Sequence, residues 1–144
     1  LEDRARQGFE TDELAVVLSH YDIGVIESIT PFTRGSRASP KVGIVSSAGK
    51  FLLKKRAIKR RSKRRVALAH AIQRHLAERS FPIARLVPTR DDRAPAARIG
   101  EELYELFEFV PGEEYDATPE KTREAGRVLA LLHQQLADFE VPEN

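Results

Sequence analysis

Three residue groups in the first half of the chain have the types and spacing to handle an anion. Gly35 and Ser36 lie in a polar, small and basic stretch, Phe32 to Ser39. Val42, Ile44 and Val45 belong to a strand-like run, Lys41 to Ser47, and Lys54 to a second one, Phe51 to Arg56. Between the runs, Ser47-Ala48-Gly49-Lys50 is a turn signal, because Gly49 tolerates positive φ at no steric cost. The expectation is a hairpin with a basic loop at one end and Lys54 inside its second strand. Backbone N–H groups in such a loop can face phosphate oxygens, and a strand lysine can reach them. Taken alone, a glycine-containing loop beside a hairpin is more often only a loop.

Other chemistries find less support. Cysteine is absent, which removes disulfides and thiolate metal sites and suits a reducing, cytoplasmic setting. The four histidines, at 20, 70, 75 and 133, form no H-x-x-x-H pair, so no zinc site is expected. No apolar run approaches the roughly 18–20 residues of a membrane span, and no secretory signal pattern is present. Methionine is absent too and the chain starts at Leu1, which suggests a processed chain or a piece of a longer one. The formal net charge of +2 hides an asymmetry. Residues 1–99 carry 21 Lys/Arg against 10 Asp/Glu, whereas residues 100–144 carry 3 against 12. A basic front and an acidic back suggest an anionic ligand on the first part.

These residues need elements to hold them. With 144 residues the prior is one domain with a real core. Thr11 can cap a short helix whose stripe is Leu14, Val17, Leu18 and Tyr21. Val25 to Thr30 reads as a first strand, stopped by Pro31. After the hairpin comes KKRAIKRRSKRR, residues 54–65, nine basic residues in twelve, a run that is usually solvated. Val66 to Arg79 reads as a helix broken by Ser80-Phe81-Pro82, then Ala84 to Thr89 as a short strand. Arg90 to Pro95 is a polar turn, Ala96 to Ile99 a weak strand, and Leu103 to Val110 a good one. The last helix is capped by Thr118 and Pro119, with a buried stripe of Ala125, Val128, Leu129, Leu132, Leu136 and Phe139. Hairpins around one helix point to an antiparallel α+β domain.

That order resembles the small lobe of a protein-kinase-like fold. In detail it is similar to the phosphotransferase enzyme family of aminoglycoside phosphotransferases, type II homoserine kinases and CotS-like proteins. Three stretches carry the likeness: GKFLLKKR at 49–56, HLAERSFPIARLVPT at 75–89, and LFEFVPGE at 106–113 followed by AGRVLALLHQQL at 125–136. The resemblance implies a small lobe at 25–112, an antiparallel sheet of about five strands with one packed helix. A short helix in 1–24 precedes it, and 113–144 holds a linker and the first large-lobe helix. It implies that Lys54 contacts the α- and β-phosphates of ATP and that Gly35 and Ser36 sit in the loop over them. Glu108 and Val110 match the hinge, whose backbone C=O and N–H pair with adenine. Phe107 stands at the back of the adenine pocket and Val42 forms its lid.

Three departures accompany the likeness. The G-x-G-x-x-G loop is not met, because Thr33 to Lys41 holds only Gly35. The usual partner of the strand lysine is a helix glutamate, yet residues 57–77 contain no Asp or Glu, leaving His70 or Gln73 at that place. The catalytic aspartate and the magnesium ligands of the family lie in stretches beyond Asn144. The implied activity is transfer of the ATP γ-phosphoryl to a hydroxyl of a small substrate, with Mg2+ ligands and catalytic residues outside the chain. The exposed stripe of the last helix would then favour self-association. Two rivals stand beside this reading. One is a nucleic-acid-binding module using 54–65, with Arg60, Arg61, Arg64 and Arg65 on phosphates. The other is a non-catalytic, pseudokinase-like interaction domain.

Overall fold

The computed structural model describes residues 8–35, 39–57 and 63–142. Helix α1 is Thr11–Leu18, α2 Lys63–Glu78 and α3 Pro119–Leu136. The strands are β1 Ile26–Pro31, β2 Lys41–Ser46, β3 Gly49–Ala57, β4 Ala97–Ile99 and β5 Glu102–Glu108. They make one sheet of order β1-β2-β3-β5-β4, with every neighbouring pair antiparallel. This is the mixed architecture of the expectation, with five strands and three helices among the described residues. By contacts the chain divides into two compact units. The first is Leu1–Lys63 with Leu86–Phe109, and the second is Arg64–Arg85 with Val110–Asn144.

In the first unit, β2 and β3 form the expected hairpin. Ser46 pairs with Gly49, so Ser47 and Ala48 alone make the turn. The Ser46 hydroxyl accepts from the Ala48 N–H at 3.3 Å and donates to the Gly49 carbonyl at 3.3 Å. Strand β1 is the exposed edge, and its terminal Pro31 costs the ladder nothing there. The chain enters β1 through Gly24, whose φ of +71° and missing Cβ let it pass Ser47; a Cβ would lie 2.3 Å from the Ser47 hydroxyl. That hydroxyl instead accepts the Val25 N–H at 2.9 Å.

Side chains alternate across a strand, so one face of the sheet takes Val42 and Ile44 of β2, Phe51 and Leu53 of β3, and Tyr104 and Leu106 of β5. All six are buried, and α1 with its exit segment supplies Val17, Leu18, Tyr21 and Ile23 to the same core. The predicted stripe of α1 is therefore real. Its cap lies one residue earlier than expected: Glu10, not Thr11, is the cap, its N–H donating to Glu13 Oε2 at 3.2 Å. Polar bonds pin α1 and its exit segment to the sheet as well. The Tyr21 hydroxyl donates to the Tyr104 carbonyl at 2.7 Å and accepts from the Ala97 N–H at 3.2 Å. The Tyr104 hydroxyl donates to Glu13 Oε1 at 2.6 Å, and Lys55 Nζ lies 2.7 Å from the same oxygen. Burial pushes the Tyr21 phenol up to about 12. Burial works against ionisation of Glu13, but the hydrogen bonds from Lys55 and Tyr104 outweigh it and hold its pKa below the usual carboxylate value.

Two expectations change here. Ala84 to Thr89 is not a strand: only Leu86 bridges to Phe107, and the Val87 N–H donates to the Leu106 carbonyl at 2.8 Å. Pro82 and Pro88 flank the bridge and lack the N–H groups that would extend a ladder. The good strand stops at Glu108, so Phe109 and Val110 lie beyond it and are exposed.

In the second unit, α2 buries Val66 and Leu76, and the Gln73 side chain donates to the Ala84 carbonyl at 2.7 Å. Helix α3 starts as expected, with Thr118 accepting the Lys121 N–H at 3.4 Å. Its stripe is not buried: no α3 residue is, and Leu129 is 53% exposed. Helices α2 and α3 meet at their C-terminal ends. His75 Nε2 lies 2.8 Å from the Gln135 carbonyl, Arg79 donates to Asp138 at 2.6 Å, and the His75 ring stands edge-on to Phe139. No helix among the described residues is long and apolar enough to cross a membrane.

Candidate functional site

The face of the sheet opposite α1 carries the charges. Register places Lys41, Lys54 and Glu105 in one row across β2, β3 and β5. The next row is Gly43, Leu52 and Phe107, which is apolar. Arg56 stands on the same face, two residues beyond Lys54.

Glu105 is 1% exposed and lies between two cations. Its Oε2 is 3.1 Å from Arg56 Nη2 and 3.5 Å from Lys54 Nζ. The Lys54 and Arg56 side chains remain 23% and 29% exposed, so the carboxylate is covered while both cations reach solvent. With Lys41 in the row, this patch has an excess of positive charge. It can therefore receive an anion beside an apolar strip.

Lys41 also organises the loop. Its Nζ donates to the Ser39 carbonyl at 3.0 Å and to the Arg34 carbonyl at 3.4 Å. The Phe32 N–H donates to the Lys41 carbonyl at 3.0 Å and the Lys55 N–H to the Pro40 carbonyl at 2.9 Å, which ties both loop ends to the sheet. Gly35 has φ +82°, and a Cβ on it would stand 3.5 Å from Lys41 Nζ, so this loop position favours glycine. Ser36 lies outside the described residues.

The remaining site candidates fall in different places. Phe107 pairs with Leu52 and shares the face of Lys54. Glu108 ends β5. The Phe109 N–H donates to the Lys50 carbonyl at 2.9 Å, which makes Phe51–Glu108 a non-hydrogen-bonded pair. The Glu108 N–H and C=O therefore point away from β3, toward the side of β5 on which Leu86 bridges Phe107. Val110 belongs to the second unit and is 55% exposed. Val42 does not join Lys54. It pairs with Leu53, faces the α1 side and is buried in the core. The physical reason is the two-residue period of a strand: a shift of one position changes the face. The apolar β2 residue that does share the face of Lys54 is Val45.

Gly35 and Val42 instead help line a cavity of about 380 Å³ between the start of α1, β1 and the loop, together with Phe9, Leu14, Ile29 and Phe32. Glu105 is the functional candidate that the sequence reading missed. Its signal was present in the alternation of LYELFEFV, which puts Glu105 on the face opposite Tyr104 and Leu106. Among the described residues, no three His, Asp or Glu side chains are placed together to hold a metal ion.

The phosphotransferase enzyme family matches residues 28–142, most of the chain. The chain belongs to that family. Solved structures agree with the fold of this phosphotransferase-family chain. An aminoglycoside phosphotransferase from Alicyclobacillus acidocaldarius is 25% identical with a TM-score of 0.67, and the match covers 94% of this chain and 37% of the other. An amicoumacin kinase, solved with AMP-PNP and Ca2+, is 18% identical with a TM-score of 0.72, covering 90% and 40%. A spectinomycin phosphotransferase, solved with ADP and spectinomycin, is 15% identical with a TM-score of 0.66, covering 91% and 38%. The chain thus spans well under half the length of these structures. No curated protein matches the sequence.

Proposed function

We propose that this chain is the ATP-binding lobe of a small-molecule kinase that moves the γ-phosphoryl of ATP to a hydroxyl group. The observation that carries the reading is the pairing of two rows on one face of the sheet. Lys41, Lys54 and Glu105 form a charged row, and Gly43, Leu52 and Phe107 an apolar one beside it. An adenine needs a flat apolar cover and a nearby polar edge, and its phosphates need positive charge a few ångströms further on. Leu52 and Val45 cover the ring, Phe107 stands behind it, and the Glu108 carbonyl, turned away from β3, accepts from its amino group.

Lys54 meets the α- and β-phosphates, and the loop position at Gly35 lies over them. Through the reaction, Lys54 holds positive charge where negative charge spreads over the phosphate oxygens. A divalent ion, when bound, would neutralise the phosphates; among the described residues no three His, Asp or Glu side chains are grouped to hold it. In this reading the aspartate that receives the hydroxyl proton comes from the part of the family fold beyond this chain. Its structural neighbours are more than twice as long.

An amide NMR titration of the chain with magnesium-ATP tests the reading. Shifts concentrated at Gly35, Lys41, Leu52, Lys54 and Phe107–Val110 are the expected result. Shifts confined to residues 54–65, seen only with a short RNA duplex, would replace it with the nucleic-acid reading.

A further inference from the structure

In kinase-like sites the strand lysine is held by a helix glutamate, and movement of that helix switches the site. Helix α2 offers no carboxylate before Glu78, its last residue, and the sequence between β3 and α2 contains none. A lysine with three donors and a long flexible stem needs a fixed acceptor if it is to stay aimed. The first unit supplies one by another route. Glu105 sits directly across from Lys54 in the β3–β5 register, almost fully covered, with its Oε2 shared between Lys54 and Arg56.

Burying a lone carboxylate is costly, and pairing with two cations offsets that cost. Arg56, through its 3.1 Å hydrogen bond, fixes the carboxylate, and the carboxylate fixes Lys54. We propose that Glu105 is the positioning residue for Lys54, in the place that a helix carboxylate takes in other kinase-like sites. The pair is built into two adjacent strands of one sheet. Its geometry follows from strand register and does not depend on where α2 lies. The lysine is consequently set for phosphate at all times, and the site has no helix-driven off state. This rests on the nucleotide-lobe reading for its purpose, though not for its geometry.

The test uses the whole chain without nucleotide first. In 15N-labelled protein at neutral pH, Lys54 should give an ammonium signal protected from exchange. That signal should be lost in Glu105→Gln, while the signal of Lys55, bound to Glu13 on the other face, persists. An unchanged Lys54 signal in a folded Glu105→Gln variant overturns the proposal. If that variant does not fold, Lys54→Met decides through the Glu105 carboxylate carbon, which must shift if the two are paired and stay still if they are not. Magnesium-ATP is then titrated. Removing a carboxylate makes the face more positive, so charge alone would tighten ATP. Loss of positioning should instead weaken it, by about tenfold. Equal or tighter binding by folded Glu105→Gln overturns the proposal and leaves the nucleotide reading intact. A wild-type chain that ignores ATP counts against the nucleotide reading, and the lysine signals then decide the pairing.

Discussion

Strand β3 serves two faces with alternate residues, and the faces follow opposite rules. Phe51, Leu53 and Lys55 look toward α1, where apolar groups fill the core and Lys55 and Tyr104 both meet Glu13 at close range. Leu52, Lys54 and Arg56 look the other way, where the cations outnumber the buried Glu105 carboxylate and remain about a quarter exposed. Neighbours in sequence therefore have different surroundings: odd positions hold the fold and even positions belong to the charged and apolar rows of the other face. The lesson is that a lysine is not defined by its run of basic neighbours. Lys54 and Lys55 share a sequence context and differ in every contact.

The contrast is most easily broken at Leu53 and Leu52. Leu53 is fully buried, so Leu53→Ala should cost roughly 2–5 kcal/mol in denaturant unfolding. Leu52→Ala should cost much less stability yet weaken ATP; equal stability losses would end the two-face division. Next in size, Lys54→Ala should lower magnesium-ATP affinity by roughly tenfold or more with the amide spectrum otherwise preserved, whereas Lys55→Ala should leave affinity unchanged and loosen α1. Affinity lost equally in both would mean that bulk charge, not face, governs binding.

A smaller effect sharpens the α1 side. Tyr104→Phe removes one hydrogen bond to Glu13 and should cost about 1 kcal/mol. The pH dependence follows from the same contact. Glu13 titrates below the ordinary 4.5 when folded, so its contribution is complete above that value and is lost as pH falls through the lowered native pKa. A stability–pH curve should show this loss in the wild type and less of it in Tyr104→Phe. The smallest effect lies in the second unit, where Thr118→Ala should cost about 1 kcal/mol or less, read as faster amide exchange in the first turn of α3.

Much of this was legible in the sequence where the signal is local. The β2–β3 hairpin follows from its turn residues, and α3 begins at Thr118-Pro119 as its capping chemistry dictates. What failed depended on partners distant in sequence. Val42 looked like a nucleotide lid because only its type was visible; the register that turns it toward α1 is fixed by pairing with β1 and β3. Glu105 went unread because its two cations lie about fifty residues earlier, on a strand that only folding brings alongside. The stripe of α3 is amphipathic in sequence, yet periodicity records the capacity for burial and not the presence of a cover. Ala84 to Thr89 has strand-forming residues and too few free N–H groups for a ladder.

The sheet order also sets when the charged row can form. Strands β1, β2 and β3 are consecutive neighbours and can zip together by short-range steps. Strand β5 joins β3 only after the whole of α2 and the segment behind it have been synthesised. During translation the hairpin with Lys54 leaves the ribosome well before Glu105, so the lysine exists for a time without its acceptor. Closing that long loop carries a larger entropic cost than zipping the consecutive strands. The fold thus completes its core, through Leu53 and Leu106, and its charged row, through Lys54 and Glu105, in the same event.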